Sequence, residues 1–174
     1  MSQSLSNFAD LLHSAERSAV HLEMRDVYAV ENETERIAAW KRGHRLDPAD
    51  RDTWWRPWHD LVQEVTGKGV VVRRARIVSE PASEYIRYEH SGTFTNIAAG
   101  EDVRWLPRRS ASDIALPGSD FWLFDNRIVQ FNIFDGDGRW VHTDQTEASE
   151  VVTLCAAAFE AVWERAIPHE KYTV

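Results

Sequence analysis

The sequence holds a single cysteine, Cys155, among its 174 residues. One thiol excludes an internal disulfide and any thiolate-rich zinc or iron–sulfur centre. Its neighbours, Leu154 and Ala156 to Ala158, belong to a helical pattern, so it reads as a small core residue rather than a nucleophile. Glycine is sparse and dispersed, with eight in all. No Gly-x-Gly-x-x-Gly, Walker loop or Gly-x-Ser-x-Gly elbow can be assembled from them, which removes the familiar phosphate cradles and the serine-hydrolase turn. There is no His-Glu-x-x-His and no pair of histidines at helical i,i+4 spacing. No cofactor and no metal is therefore expected. No apolar run approaches the roughly 20 residues of a membrane span. The start, Met1-Ser2-Gln3-Ser4, has neither a basic segment nor an apolar core, so no secretory signal is read there. A soluble cytoplasmic protein without membrane contact is the expectation.

Positive charge is also in deficit. Twenty Lys+Arg stand against 28 Asp+Glu, a formal net charge of -8. Proteins that hold a phosphate backbone by bulk electrostatics are usually basic, so no direct nucleic-acid binding is expected. Local basic clusters occur at Arg73-Arg74-Ala75-Arg76 and at Arg104 with Arg108-Arg109. They read either as solvated arginines paired with the many acids or as an anion or partner site.

What remains is ordinary globular composition, 43% hydrophobic and 28% charged, without repeats or low-complexity tracts. The length suits one domain over residues 1–174. Residues 1–67 form a mainly helical part, and 68–174 form the sheet. Phe8, Leu11, Leu12 and Ala15 predict a helix over Asn7 to Arg17, capped by Asn7 or Ser6. Ala19, His21 and Glu23 alternate with Val20, Leu22 and Met24 as in a strand. Asn32 to Gly43 predicts a short helix. Pro57 starts another, with Trp58, Leu61, Val62 and Val65 as its buried stripe. Val70 to Val78 is a strand, and Ser83 to about Ala99 is helical, interrupted at Gly92. Short strands follow at Val103 to Leu106, Phe121 to Phe124, Ile128 to Phe134 and Gly138 to Val141. The joints Asp125-Asn126 and Asp135-Gly136-Asp137-Gly138 are hairpin turns. The latter has a calcium-loop beginning but lacks the later glycine and glutamate. A final helix spans about Glu147 to Ala166. Strands that first alternate with helices and then run as hairpins predict an α/β fold with a mixed sheet and flanking helices.

Several groups could carry function. Arg74 and Arg76 share a strand face. Glu80, Tyr85, Tyr88 and Glu101 fall around the strand ends, where open α/β sheets take their ligands. The alternative is a buried ion pair of Arg76 with Glu80 or Glu101 that fixes the strand–helix turn. His21 and Glu23 share a strand face as an ion pair or an exposed pair. Trp54 and Trp55 flank the helix start at Pro57 and, with Trp58, cannot all point inward, so they could line a groove. Asp120, Asp125 and Glu101 are candidate acid–base groups for a hydrolase only if they meet in one open cleft.

Four segments together resemble an actinobacterial family of unknown function. They are Arg-Ile-Val-Ser-Glu-Pro (76–81), Tyr85-Ile86-Arg87-Tyr88, Ala-Gly-Glu-Asp-Val-Arg-Trp-Leu-Pro (99–107) and Asp-Phe-Trp-Leu-Phe-Asp (120–125). Arg-Ser-Ala-Val-His-Leu-Glu (17–23) fits the same pattern. That resemblance implies a regulatory role beside helix-turn-helix regulators. The second half is similar, more distantly, to phospholipase D-like domains, whose His-x-Lys-x4-Asp strand corresponds to Gly118 to Asp125. Asp125 is kept, but Gly118 stands at the histidine and Asp120 at the lysine. The reaction needs an imidazole nucleophile and a cation for the phosphoryl oxygens. The resemblance therefore implies the fold without the reaction, and a module that senses a small ligand or grips a protein partner. The alternatives are an interaction component of a toxin–antitoxin-like gene pair and a hydrolase of unrecognised type.

Overall fold

The computed structural model describes the backbone of residues 2–174 and the side chains of residues 7–174. Met1, the first residue of the segment read for a secretory signal, lies outside the described residues. The chain runs through α1 (Ser2–Ser14), β1 (Ser18–Glu23), α2 (Thr34–Lys41), α3 (Pro57–Gly67), β2 (Val71–Val78), α4 (Glu84–Gly92), α5 (Phe94–Ala99), β3 (Asp102–Pro107), β4 (Phe121–Phe124), β5 (Ile128–Phe134), β6 (Trp140–Thr146), α6 (Ser149–Arg165) and β7 (Ile167–Pro168). No described helix is long and apolar enough to cross a membrane.

The strands form one mixed sheet in the order β6-β5-β4-β1-β2-β3-β7. β1, β2 and β3 are parallel, and every other pairing is antiparallel. The mainly helical first part of the chain thus supplies the central strand. Alternation sorts its side chains between two layers. Val20 and Leu22 of β1, Ala75 and Ile77 of β2, and Phe121 and Leu123 of β4 pack beneath Val152, Cys155, Phe159 and Val162 of α6. Cys155 is fully buried there, and burial pushes its thiol up to about 11. On the opposite face Ala19, Val72, Trp122 and Phe124 meet Leu12 of α1 and Val65 of α3.

Local chemistry explains the boundaries. Pro57 occupies the first position of α3, where its missing N–H costs nothing. The Ser83 hydroxyl caps α4 by accepting from the Ile86 amide at 3.1 Å. Asp125 and Asn126 both take positive φ, 51° and 53°, which makes the two-residue turn between β4 and β5. The Asp135 carboxylate accepts the Asp137 and Arg139 amides at 2.9 Å each, so that loop is a turn whose acid is already engaged.

Three expectations need correction. α1 begins at Ser2, so neither Ser6 nor Asn7 caps it. β6 continues to Thr146, five residues beyond the expected end at Val141. Its later residues are polar on both faces, exposed or half-buried, so no apolar alternation marks them. β7 was not expected at all. It is two residues long, and Pro168, which has no N–H to donate, suits an edge position.

Candidate functional site

The register between β1 and β2 sets His21 beside Arg74 and Glu23 beside Arg76 on the face away from α6. Glu23 joins the two arginines. Its Oε1 accepts from Arg74 Nη1 at 2.9 Å and its Oε2 from Arg76 Nε at 2.6 Å. Arg74 Nε also donates to Glu101 at 2.8 Å, and Glu101 accepts from Trp58 Nε1 at 3.0 Å and Asn96 Nδ2 at 2.8 Å. Arg76 reaches Glu89 at 2.8 Å and the Thr93 hydroxyl at 3.1 Å. The centre of the network is shut away from solvent: Arg74, Arg76 and Glu101 are 8%, 4% and 3% exposed, while Glu23 and Glu89 are half-buried.

Electrostatics follow from that packing. Burial alone would push the Glu23 carboxyl up. Arg76 and Arg74 outweigh it and hold Glu23 far below the usual carboxylate range. Burial likewise opposes ionisation of Glu101, and the Arg74 guanidinium more than compensates. The same anions push both arginines above their ordinary values against the opposing effect of burial. Two guanidiniums hold three carboxylates, Glu23, Glu89 and Glu101, which makes the network a brace for the sheet and helices.

The sequence candidates distribute unevenly around this brace. Arg74, Arg76 and Glu101 are brought together in it. The partners of Arg76 are Glu23 and Glu89, in place of the expected Glu80 or Glu101. Glu80 lies elsewhere, 3.4 Å from Arg109 and accepting from the Tyr172 hydroxyl at 3.2 Å. Tyr85 approaches the brace from α4 but donates to Glu33 at 2.9 Å. Tyr88 turns to Trp40, with ring centroids 6.1 Å apart. Trp54 and Trp55 form no groove. A 3₁₀ turn at Arg51–Thr53 swings Trp54 inward against Phe94, where its indole donates to the Asp47 carbonyl at 2.9 Å. Trp55 is half-buried beneath the Arg51 guanidinium and donates to Asp60 at 2.7 Å.

The three candidate carboxylates do not meet. Asp120 and Asp125 flank β4 at opposite ends. Asp125 accepts the backbone N–H groups of Glu16, Arg17 and Ser18, each at 2.8 Å, and so fastens the α1–β1 connection. Glu101 is spent on Arg74. Asp120 is buried beside the end of β1, where it accepts from the Met24 amide at 2.9 Å and from the Tyr28 hydroxyl. Burial, and then the Glu23 charge, raise its carboxyl to about 6 against the opposing hydrogen bond from Tyr28. At Gly118 a side chain would meet nothing within 4 Å.

Two hollows lie at the carboxyl ends of the parallel strands. One is a small, partly open cavity of about 10 Å³, bounded by Glu23, Arg25, Tyr28, Arg76, Tyr85, Ile86 and Glu89, with room for about one water. The other is an open cleft of about 260 Å³ lined by Ser79, Glu80, Pro107, Arg108, Arg109 and Ser112. Arg108 is anchored beside it by the carbonyls of Met24 at 2.7 Å and Ile77 at 3.2 Å and by Ser79 Oγ at 3.1 Å. Arg109 is 82% exposed. Sequence reasoning missed Tyr28, Glu33 and Glu89. All three are acids or a phenol on loops or helices, with no pattern to separate them from solvated surface.

Residues 6–174 match a family described as a domain of unknown function, DUF6879. No curated protein sequence matches the chain. Solved structures share its fold at low identity. NucT from Helicobacter pylori aligns with a TM-score of 0.57 and 12% identity, over 96% of this chain and 91% of that one. Nuc from Salmonella typhimurium, a phospholipase D family member, gives 0.51 and 9%, over 94% and 89%. TrmBL2, an archaeal chromatin protein with a novel mode of DNA binding, gives 0.52 and 13%. The alignment with TrmBL2 covers 95% of this chain but spans about half the length of that protein, 51%. The phospholipase D-like fold therefore extends over nearly the whole chain and is not confined to the second half. The expectation of no direct nucleic-acid binding is corrected too. A DNA-binding chromatin protein contains this fold, so a net charge of -8 does not remove nucleic acids from the partner classes.

Proposed function

This chain belongs to the DUF6879 family, and we propose that it is a non-catalytic binding module in a regulatory system, taking a small anionic ligand in the open cleft at the strand ends. The observation that carries the first part is Asp120. A phospholipase D-like reaction needs a cation there to hold the phosphoryl oxygens. The residue is instead a buried acid held by Met24 and Tyr28. Gly118 offers no imidazole in the place of the nucleophile. His21, on the same sheet face, is buried against Trp122, and burial pushes its imidazole down to about 3. The cleft supports the second part. It lies at the carboxyl ends of β2 and β3, where parallel sheets take ligands, and it offers the exposed guanidinium of Arg109, while the Ser79 and Ser112 hydroxyls that line it donate to Asp26 and to the Arg109 carbonyl.

The test has two arms. Purified protein is assayed with bis(4-nitrophenyl) phosphate, and no turnover is expected. Turnover by wild type that disappears in Asp120→Asn overturns the non-catalytic reading. Inorganic phosphate is then titrated while the amide resonances are followed. Shifts at Ser79, Arg109 and Ser112 that vanish in Arg109→Glu support the cleft, and unmoved resonances overturn it. Short duplex DNA is a second probe in the same titration, and shifts mapping away from the cleft would make nucleic acid the ligand class.

A further inference from the structure

We infer that the outer edge of β6 is an interface with a second copy of this chain, joined as an antiparallel strand pair centred on Thr143. β6 is the terminal strand of the sheet, and among the described residues nothing pairs with its outer side. It is seven residues long and contains no proline and no lysine, the residues that usually guard such an edge. An irregularity opposite Ile133 and Phe134 lies at its hairpin end and leaves His142 to Thr146 in regular register. Trp140 and Val141 are 41% and 51% exposed. Val27 and Val30, also exposed, belong to the segment tied to the hairpin through the Ala29 amide and the Gly138 carbonyl at 2.9 Å. Exposed apolar side chains thus occur both at the start of β6 and on the segment bound to its hairpin.

The side chains of β6 select the occupant and the register. Two copies related by a two-fold axis normal to the sheet must pair residues that point to the same face. Centring on His142 sets histidine against histidine. Centring on Asp144 sets two carboxylates against each other. Centring on Thr143 sets His142 of each copy opposite Asp144 of the other, Thr143 opposite its own counterpart, and Val141 opposite Gln145. Of these three registers only that one joins unlike groups, an imidazole against a carboxylate, and complementary cross-strand pairs stabilise antiparallel strands where like groups do not. Within one chain His142 Nε2 already lies 3.4 Å from Asp144 Oδ1, so both groups stand on the same face of the strand. The result is a sheet continuous across two molecules, with the α6 layers on one side.

Sedimentation velocity over a concentration series of the full chain tests this. Wild type is expected to pass from monomer to dimer. His142→Glu places like charges opposite each other at two symmetric positions and should weaken the dimer by roughly tenfold. Asp144→Lys removes the carboxylate that His142 of the other copy faces and should weaken the dimer less than His142→Glu does. Combining His142→Glu with Asp144→Lys restores unlike pairs in this register and should recover most of the lost affinity. Both positions are exposed, so thermal melting checks that each variant is folded. Wild type that stays monomeric throughout, a dimer indifferent to His142→Glu, or a double variant no better than either single one overturns the inference.

Discussion

His21 lies flat on Trp122, ring centroids 4.3 Å apart and planes 17° from parallel, and neither of its ring nitrogens meets a protein hydrogen-bond partner. Burial dominates its titration and lowers it from 6.5 to about 3, with Glu23 opposing and Arg74 and Arg76 adding to the fall. In the unfolded chain the imidazole takes up a proton below about 6.5. The folded chain does not until about 3, so the unfolded state binds more protons in between and stability drops as pH falls through that window. Glu33 and Asp120 act in the opposite sense. Burial raises them to about 7 and about 6, so the folded state holds their protons longer and stability rises as pH falls toward their ordinary values. Glu23 and Glu101, held below their ordinary value of 4.5, still cause a loss below that pH, so His21→Phe should remove the acid-side loss between about 6.5 and 4.5 and expose the opposite trend there. Urea midpoints measured through this window check it, and a variant as acid-sensitive as wild type contradicts it.

The charge brace predicts a large asymmetric effect. Arg76→Ala leaves the half-buried Glu89 without its cation and Glu23 with Arg74 alone, and should cost about 3 kcal/mol. Arg73→Ala, on the opposite face, removes an arginine paired with the largely exposed Glu160 and should cost about 1 kcal/mol or less. Denaturant unfolding of the two variants side by side measures the difference. Equal losses would mean that burial of the network adds nothing.

Gly100 ends α5 with φ +112°, and an added Cβ would stand 2.6 Å from Thr66 Oγ1. Gly100→Ala should cost roughly 1–2 kcal/mol from the left-handed backbone alone, with the collision added. Introducing Thr66→Ala as well should relieve the collision but not the backbone cost. Thermal melting of the single and double variants separates the two parts.

Asp125→Ala withdraws the acceptor from three backbone N–H groups and should destabilise by about 1–3 kcal/mol. It should leave phosphate titration at the open cleft unchanged, because the cleft lies at the other end of the sheet. Loss of ligand binding at full stability would assign Asp125 a role in recognition.

The parts legible in the sequence were those governed by local pattern. Alternation through Val71–Val78 set Arg74 and Arg76 on one face, and Pro57 and the Asp125-Asn126 turn fixed their elements where expected. Motif spacing alone carried Asp120 to the end of β4. The partners of the arginines were not legible. Glu23 read as half of a strand pair with His21, and which residue of β1 stands beside Arg76 depends on a parallel register set by the intervening helices. Glu89 looks like any solvated helix acid until α4 docks. Trp54 failed as a groove residue because a single 3₁₀ turn decides which way an indole faces.

The two margins of the sheet are unequal. Ile167 and Pro168 blunt one side, while the other ends in the bare backbone of β6. A dimer joined through β6 would use up the open edges of both copies in a single event, so assembly would halt at a closed pair. The partly capped flank would then spare such a dimer the endless ribbons that two open flanks invite.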